Sequence, residues 1–255
     1  MRPLIHYYGS AWRKTRQRMY PAPRRSTVVE PFAGGAGYSL FHEPRKVILC
    51  DLDPVICGVW RYLLSVSPKE LLALPNLDLN TPLDTLKWPC QEAMWLAGFW
   101  AGVGSQYPAK PPSKWCREYS QAQPGRFWTP TLKMRIARQL PGLQNWEIHE
   151  CSFMDLPGKV LELDATWFID PPYMDKGKHY RCGSADIDFE HLGAWCKKRH
   201  GQVIVCEQEG ATWLPFEPAG VVQTARKDLT SSEVAWLSLQ EDKPWKQGRL
   251  WGGAS

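Results

Sequence analysis

The chain has 255 residues, a hydrophobic fraction of 44% and a net charge of +5, enough apolar material for one catalytic domain with an insertion. No apolar run approaches the ~20 residues of a membrane span and no signal-peptide core is present, so a cytoplasmic protein without membrane association is expected. Eight cysteines show no C-x-x-C pair, and several fall inside apolar runs, which points to reduced buried thiols; neither disulfides nor a metal are expected.

The chain opens on Tyr7-Tyr8-Gly9-Ser10-Ala11-Trp12-Arg13. From Arg13 to Arg25 there are six basic residues (Arg13, Lys14, Arg16, Arg18, Arg24 and Arg25) and no acidic one. Such a run suits phosphate contacts beside a crevice or a solvated helix face. Val28-Val29-Glu30 then reads as a short strand, followed by the turn Pro31-Phe32-Ala33-Gly34-Gly35-Ala36-Gly37 and a helix beginning near Tyr38. The glycines let a bulky ligand approach the backbone. Their spacing fits neither the dinucleotide fingerprint nor a P-loop, so neither NAD nor ATP is expected. Residues 46–50 read as the next strand, ending at Asp51. A carboxylate there, about 20 residues past the glycines, suits a ribose diol or caps a helix. Asp53 fits the cap better, because Pro54 would take the first helical position.

From about 68 to 144 the strand–helix alternation lapses. Residues 92–101 read as a helix with Met94, Trp95, Phe99 and Trp100 on a broad apolar face. A stiff Pro-rich connector, 108–112, follows. Next come Lys114-Trp115-Cys116-Arg117-Glu118-Tyr119 and Gly125-Arg126-Phe127-Trp128-Thr129-Pro130, then an amphipathic helix over 132–140. Interleaved basic and aromatic residues suit phosphate contact and wedging into a base stack; a satellite core under a loop is the alternative.

The run Trp167-Phe168-Ile169-Asp170-Pro171-Pro172-Tyr173 is the most informative in the chain. Residues 165–169 read as a buried strand that leaves the sheet at Asp170, because prolines cannot continue a central strand. In open parallel sheets such strand ends line the ligand crevice. The Asp170 carboxylate can accept a hydrogen bond from an amino group on a flat ring. The Pro171 carbonyl can accept the second, in a turn stiffened by Pro172, and Tyr173 offers a face for stacking. A helix over 188–198 and a strand over 202–206, ending at Glu207-Gln208-Glu209-Gly210, continue the pattern. A late strand lies at 234–237 and a polar tail at 241–255. The α/β domain thus spans 1–67 and 145–240, with 68–144 inserted.

Four of these segments, in this order, resemble the Dam-like DNA adenine N6-methyltransferases of phages and bacteria, which use S-adenosylmethionine (SAM). Glu30-Pro31-Phe32-Ala33-Gly34-Gly35 resembles the family's SAM loop, and Leu49-Cys50-Asp51-Leu52-Asp53 its ribose-binding strand end. Cys151-Ser152-Phe153-Met154-Asp155 resembles the segment whose aspartate faces the SAM adenine. Asp170–Tyr173 matches the Asp-Pro-Pro-Tyr catalytic motif. The family usually opens with an aromatic residue, then Gly-Gly-Lys, then a basic residue. Tyr7, Gly9 and Arg13 fit, Ser10 replaces a glycine, and Ala11 stands in the lysine's place, with Trp12, Arg13 or Lys14 as candidates to compensate. Trp128 occupies an asparagine position of the inserted target-recognition segment, and Cys206-Glu207 stands where a Ser-Asn strand end is common.

The resemblance implies a Rossmann-like α/β methyltransferase sheet with helices on both faces and a mainly helical target-recognition insertion. It implies SAM held by Tyr7, Ala11, Glu30, Pro31, Phe32, Ala33, Gly34, Gly35, Asp51, Phe153, Asp155 and Asp170. Catalysis falls to Asp170, Pro171, Pro172 and Tyr173, acting on an adenine flipped from the stack. Double-stranded DNA is the implied partner of a working monomer, through Arg13, Lys14, Lys114, Arg117 and Arg126. Cytosine N4, another nucleic-acid amine, transfer of a larger group, and a decayed DNA-binding module, for which Ala11 speaks, remain alternatives.

Overall fold

The chain is an α/β protein whose central sheet has the strand order β3-β2-β1-β4-β5-β7-β6. The strands are β1 (Thr27–Glu30), β2 (Lys46–Asp51), β3 (Trp146–Glu150), β4 (Ala165–Ile169), β5 (Gly201–Gln208), β6 (Glu217–Gln223) and β7 (Thr230–Leu237). β3, β2, β1, β4 and β5 run parallel, and β7 is antiparallel to both of its neighbours. This computed structural model describes residues 1–238 apart from 78, 103–104, 124, 176, 178–179 and 224–229, so the tail expected over 241–255 lies outside the described residues.

Helices α1 (Trp12–Arg16) and α2 (Gly37–His42) flank β1, and α3 (Pro54–Ser65) follows β2. α3 starts where it does because Asp53 accepts a hydrogen bond from the Val55 N–H at 2.8 Å and Pro54 occupies the first turn. Between α3 and β3 lie α4 (Pro68–Ala73), α5 (Gln91–Gly102), α6 (Lys114–Tyr119) and α7 (Pro130–Ala137), and α8 (Gly158–Leu161) and α9 (Phe189–Lys197) come later. Side chains alternate across β2. Val47 and Leu49 join an apolar cluster with Trp60 of α3, Phe99 and Trp100 of α5 and Leu132 of α7. Ile48 and Cys50 face the opposite way, with Trp167 of β4 and Leu192 and Trp195 of α9. Both faces of the sheet are therefore covered, which is why its central strands read as continuous apolar runs. The segment 68–144 shares the first of these clusters with the sheet.

Several boundaries differ from the expectation. α7 begins at Pro130, where the Thr129 hydroxyl accepts from the Leu132 N–H at 3.3 Å, and it ends at Ala137. The chain then passes into a 3₁₀ turn at Leu140–Leu143 that carries Pro141, a residue that cannot extend the α-helical ladder. β3 and β6 lie at the two sheet edges and carry mixed sequences, so no apolar run marked them. Among the described residues no helix is long and apolar enough to cross a membrane.

After β1 the chain builds outward to β2 and β3, then returns to β4 and β5 on the other side. The reversal opens a crevice at the carboxyl ends of β1 and β4. The N-terminal segment lies over it against the glycine turn. A Cβ on Gly37 would stand 2.3 Å from the Trp12 backbone nitrogen and 3.0 Å from the Ala11 carbonyl carbon. Gly37→Ala should therefore cost about 1–3 kcal/mol through overpacking. Calorimetry should read roughly 2–4 °C of Tm per kcal/mol at this size. An unchanged Tm would mean that residues 11–12 do not rest on α2.

Candidate functional site

Four adjacent parallel strands, in the order β2-β1-β4-β5, end in acidic residues. Asp51 closes β2, Glu30 closes β1, Asp170 follows β4, and Glu207 is the last residue but one of β5. Pro31 and Pro171 come directly after two of them and end the ladder, because proline has no N–H to donate. A cavity of about 1150 Å³ opens over this edge, lined by Glu30, Asp51 and Asp170.

Burial sets the protonation of the row. Glu30 is pushed up to about 8 by burial, although its carboxylate accepts the Ser39 N–H at 2.8 Å. Asp51 is pushed up to about 6 by burial, opposed by the N–H groups of Asp53 and Gly34. Asp170 is pushed up to about 6 by burial, and the Lys14 charge opposes the rise while Glu233 adds to it. Glu207 is raised by burial as well. It is turned to the loop after the Pro-Pro pair, accepting from the Met174 N–H at 3.1 Å and the Trp213 indole at 3.2 Å. The Cys206-Glu207 departure thus anchors that loop to β5, with Cys206 buried beneath.

Asp51 also holds the glycine turn. Its Oδ2 accepts the Gly34 N–H at 2.8 Å and its Oδ1 the Asp53 N–H at 2.9 Å, while the Trp60 indole donates to the Gly34 carbonyl at 2.8 Å. Gly34 sits at φ 44°, a left-handed conformation that glycine adopts without a Cβ penalty. The Tyr7 ring packs over it, edge-on to Phe99 with centroids 5.8 Å apart. Pro31, Phe32, Ala33 and Gly35 line the same cavity, as do Pro171, Pro172 and Tyr173. Phe153 lines it as well, its ring centroid 5.5 Å from that of Phe32. Asp155 is exposed and is not among the lining residues; its neighbours Ser152 and Met154 are.

Ala11 is 3% exposed, immediately before α1. Lys14, further along that helix, points inward. Its Nζ donates to Glu233 Oε2 at 2.8 Å and to the Tyr173 hydroxyl at 2.5 Å, and that hydroxyl donates to the same Glu233 oxygen at 2.6 Å. A lysine expected at phosphates is thus committed to the interior. Glu233, which sequence reasoning did not single out, sits mid-strand in β7, and no motif joins it to a residue 219 positions earlier. The only local hint was an acid directly before the strand expected over 234–237, which in the structure begins earlier, at Thr230.

The other basic candidates separate. Arg13 and Arg126 are exposed and line the cavity. Lys114 and Arg117, on α6, do not line it: Lys114 lies 3.7 Å from Glu118, and Arg117 donates to the Pro112 carbonyl at 2.5 Å. Phe127 and Trp128 are core residues, and the Trp128 indole donates to the Pro75 carbonyl at 2.9 Å. On α6, Trp115 and Tyr119 stack in the open with centroids 4.5 Å apart. Among the described residues no group of three or more His, Cys, Asp or Glu side chains is placed to hold a metal ion.

No protein-family profile matches the chain, and no curated protein matches it. Among solved structures the chain is similar to the rRNA methyltransferase aviRa of Streptomyces viridochromogenes, at 15% identity over 93% of this chain and 90% of that one, with a TM-score of 0.44. It is also similar to yhhF of Escherichia coli, a protein named provisionally as a methyltransferase, at 9% identity over 91% and 88% of the two chains, with a TM-score of 0.35. Likeness at this level carries no argument about activity.

Glu30 has a consequence for stability. Its folded value of about 8 lies above its ordinary 4.5. The unfolded chain therefore releases this proton first, and the stability Glu30 contributes below pH 4.5 is lost as pH rises toward 8. Glu30→Gln keeps an acceptor for the Ser39 N–H and removes the titration. Urea unfolding at pH 5 and pH 8 should show wild type losing at least about 1.4 kcal/mol more than the variant, the worth of one pH unit. Equal losses would mean that Glu30 ionises freely.

Proposed function

We propose that the chain is a SAM-dependent methyltransferase acting on the N6 amine of an adenine flipped out of DNA. The observation that carries this reading is the row of carboxylates at the strand ends, three of which (Glu30 buried, Asp51 and Asp170 half-buried) face one cavity beside a glycine turn. Near pH 7 Glu30 holds its proton, and the negative charge of Asp51 and Asp170 repels phosphate-bearing cofactors and attracts a sulfonium cation. The cavity, about 1150 Å³, exceeds the ~300–1,000 Å³ usual for one ligand, in keeping with a cofactor and a base together. The residues present fit that cofactor. Among the described residues the Ser10 hydroxyl, buried against the glycine turn, has no hydrogen-bond partner, an unmet polar atom at the cavity wall. Asp51 accepts from the backbone N–H groups of Gly34, Asp53 and Leu52, which leaves its carboxylate about one lone-pair site for a ribose hydroxyl. Phe32 and Phe153 supply a ring pair for an adenine face.

When bound, the cofactor supplies an electrophilic methyl group. Asp170 and the Pro171 carbonyl accept the two N6 hydrogens, which turns the nitrogen lone pair away from the ring. Tyr173 stacks on the base, its hydroxyl fixed by Lys14 and Glu233. Asp170 is also placed to take the proton that the methylated amine sheds. Catalysis is thus mainly positioning and fixed charge. Lys14 stands in for the lysine that Ala11 replaces, reaching the Asp170 corner from further along α1. Arg13 and Arg126 meet phosphates at the rim.

Asp170→Ala should abolish methyl transfer to DNA while SAM affinity, read by titration calorimetry, stays within about tenfold, because the carboxylate acts chiefly in the transition state. Asp51→Ala should weaken SAM binding by about 1–3 kcal/mol through the lost charged hydrogen bonds. Near-normal turnover in the first variant, or unchanged affinity in the second, would sink these assignments.

A further inference from the structure

We infer that Glu233 and Lys14 form a positioning pair for the reaction centre: a buried opposite-charge couple, from the last strand and the first helix, that fixes the Tyr173 ring and sets the charge beside Asp170. The inference rests on the reading of Asp170 as the group that receives the target amine. Its basis is geometric. Lys14 is 13% exposed and Glu233 is 4% exposed. The Lys14 ammonium stands 2.8 Å from Glu233 Oε2, 2.5 Å from the Tyr173 hydroxyl and 4.8 Å from the Tyr173 ring centroid. Both charged side chains line the cavity, so the pair lies at the reacting end and not under the sheet.

A stability role alone explains this arrangement poorly. A buried ion pair is costly to desolvate, and apolar side chains of like volume often serve stability as well or better. The pair also completes a charge balance around Asp170. Facing Asp170 are Lys14 from α1, Tyr20 from the segment after it, Glu30 at the end of β1, Cys206 and Glu207 from β5, Glu233 from β7, and Tyr173 and Tyr180 from its own loop. Lys14 is the cation of this group. It opposes the effect of burial on Asp170, and Glu233 reinforces that effect. The two partners therefore pull Asp170 in opposite directions, and damage to the fold alone would not mimic opposite responses.

The test uses the full chain with ¹³C-labelled aspartate. The Asp170 carboxyl, assigned with Asp170→Asn, is titrated by NMR in wild type, Glu233→Gln, Lys14→Met and Lys14→Arg. Glu233→Gln should move the Asp170 midpoint down and Lys14→Met should move it up, each by about one pH unit. Lys14→Arg should leave it near wild type, and it serves if Lys14→Met fails to fold. The acid limb of kcat for methyl transfer should follow the same two directions. Midpoints that stay put, or that move the same way in Glu233→Gln and Lys14→Met, would overturn the inference. So would an Asp170 midpoint displaced as far in Lys14→Arg as in Lys14→Met. Opposed midpoints in a protein that transfers no methyl group would support the charge couple and overturn the methyl-transfer reading.

Discussion

The molecule depends on one constraint: buried parallel strands that end in carboxylates. Removing a carboxylate from water is expensive unless donors or cations meet it. Here each acid of the row is met differently. Asp51 takes the backbone N–H groups of Gly34, Asp53 and Leu52, the first of which shapes the glycine turn. Glu30 takes the Ser39 N–H of α2. Glu207 holds the loop that follows the Pro-Pro pair. Asp170 has no comparable backbone clamp among these bonds; the Lys14 charge and a hydrogen bond from the Tyr173 side chain favour its charged form, which leaves it acceptor capacity for a donor from a ligand.

The same constraint explains why the N-terminal segment crosses the crevice. Lys14 can reach Glu233 only if residues 7–14 run over the glycine turn, and Gly37 leaves the backbone room to do so. Tyr7 closes on Gly34 from the same segment. The first helix and the last strand, far apart in sequence, therefore meet at the proposed reaction centre. The basic run after Arg13 divides accordingly: Arg13 stays at the rim, Lys14 turns inward, and Arg25 pairs with Asp164 at 2.8 Å.

What the sequence disclosed follows from which signals are local. β4 and β5 were legible because burial on both faces leaves continuous apolar runs, and α9, which Asp188 caps, fills the helix expected over 188–198. The two edge strands were not: in β3 only Trp146 and Ile148 alternate with polar residues, too short an apolar face to stand out, and β6 carries Pro218 and a register shift before Gly220. Within the site, the residues of the glycine turn, Asp51 and Asp170–Tyr173 lie on short contiguous segments, and the structure gathers them around one cavity. The aromatic residues of 114–130 had two readings, a nucleic-acid wedge or a satellite core, and composition could not divide them. Phe127 and Trp128 fill the core, whereas Trp115 and Tyr119 on α6 are exposed. The Lys14–Glu233 couple could not be read at all, since a lysine in a basic run and a glutamate in a polar strand each have a commonplace surface explanation.

The central claim is transfer of a methyl group to an exocyclic amine, and the modified nucleoside itself reports it. DNA of mixed sequence is incubated with the protein and SAM carrying a deuterated methyl group, then digested to nucleosides and analysed by mass spectrometry. The account predicts label on deoxyadenosine, fragmenting as an N6-methyl base. Label on a ring carbon such as cytosine C5, or no label on any nucleoside, would contradict it.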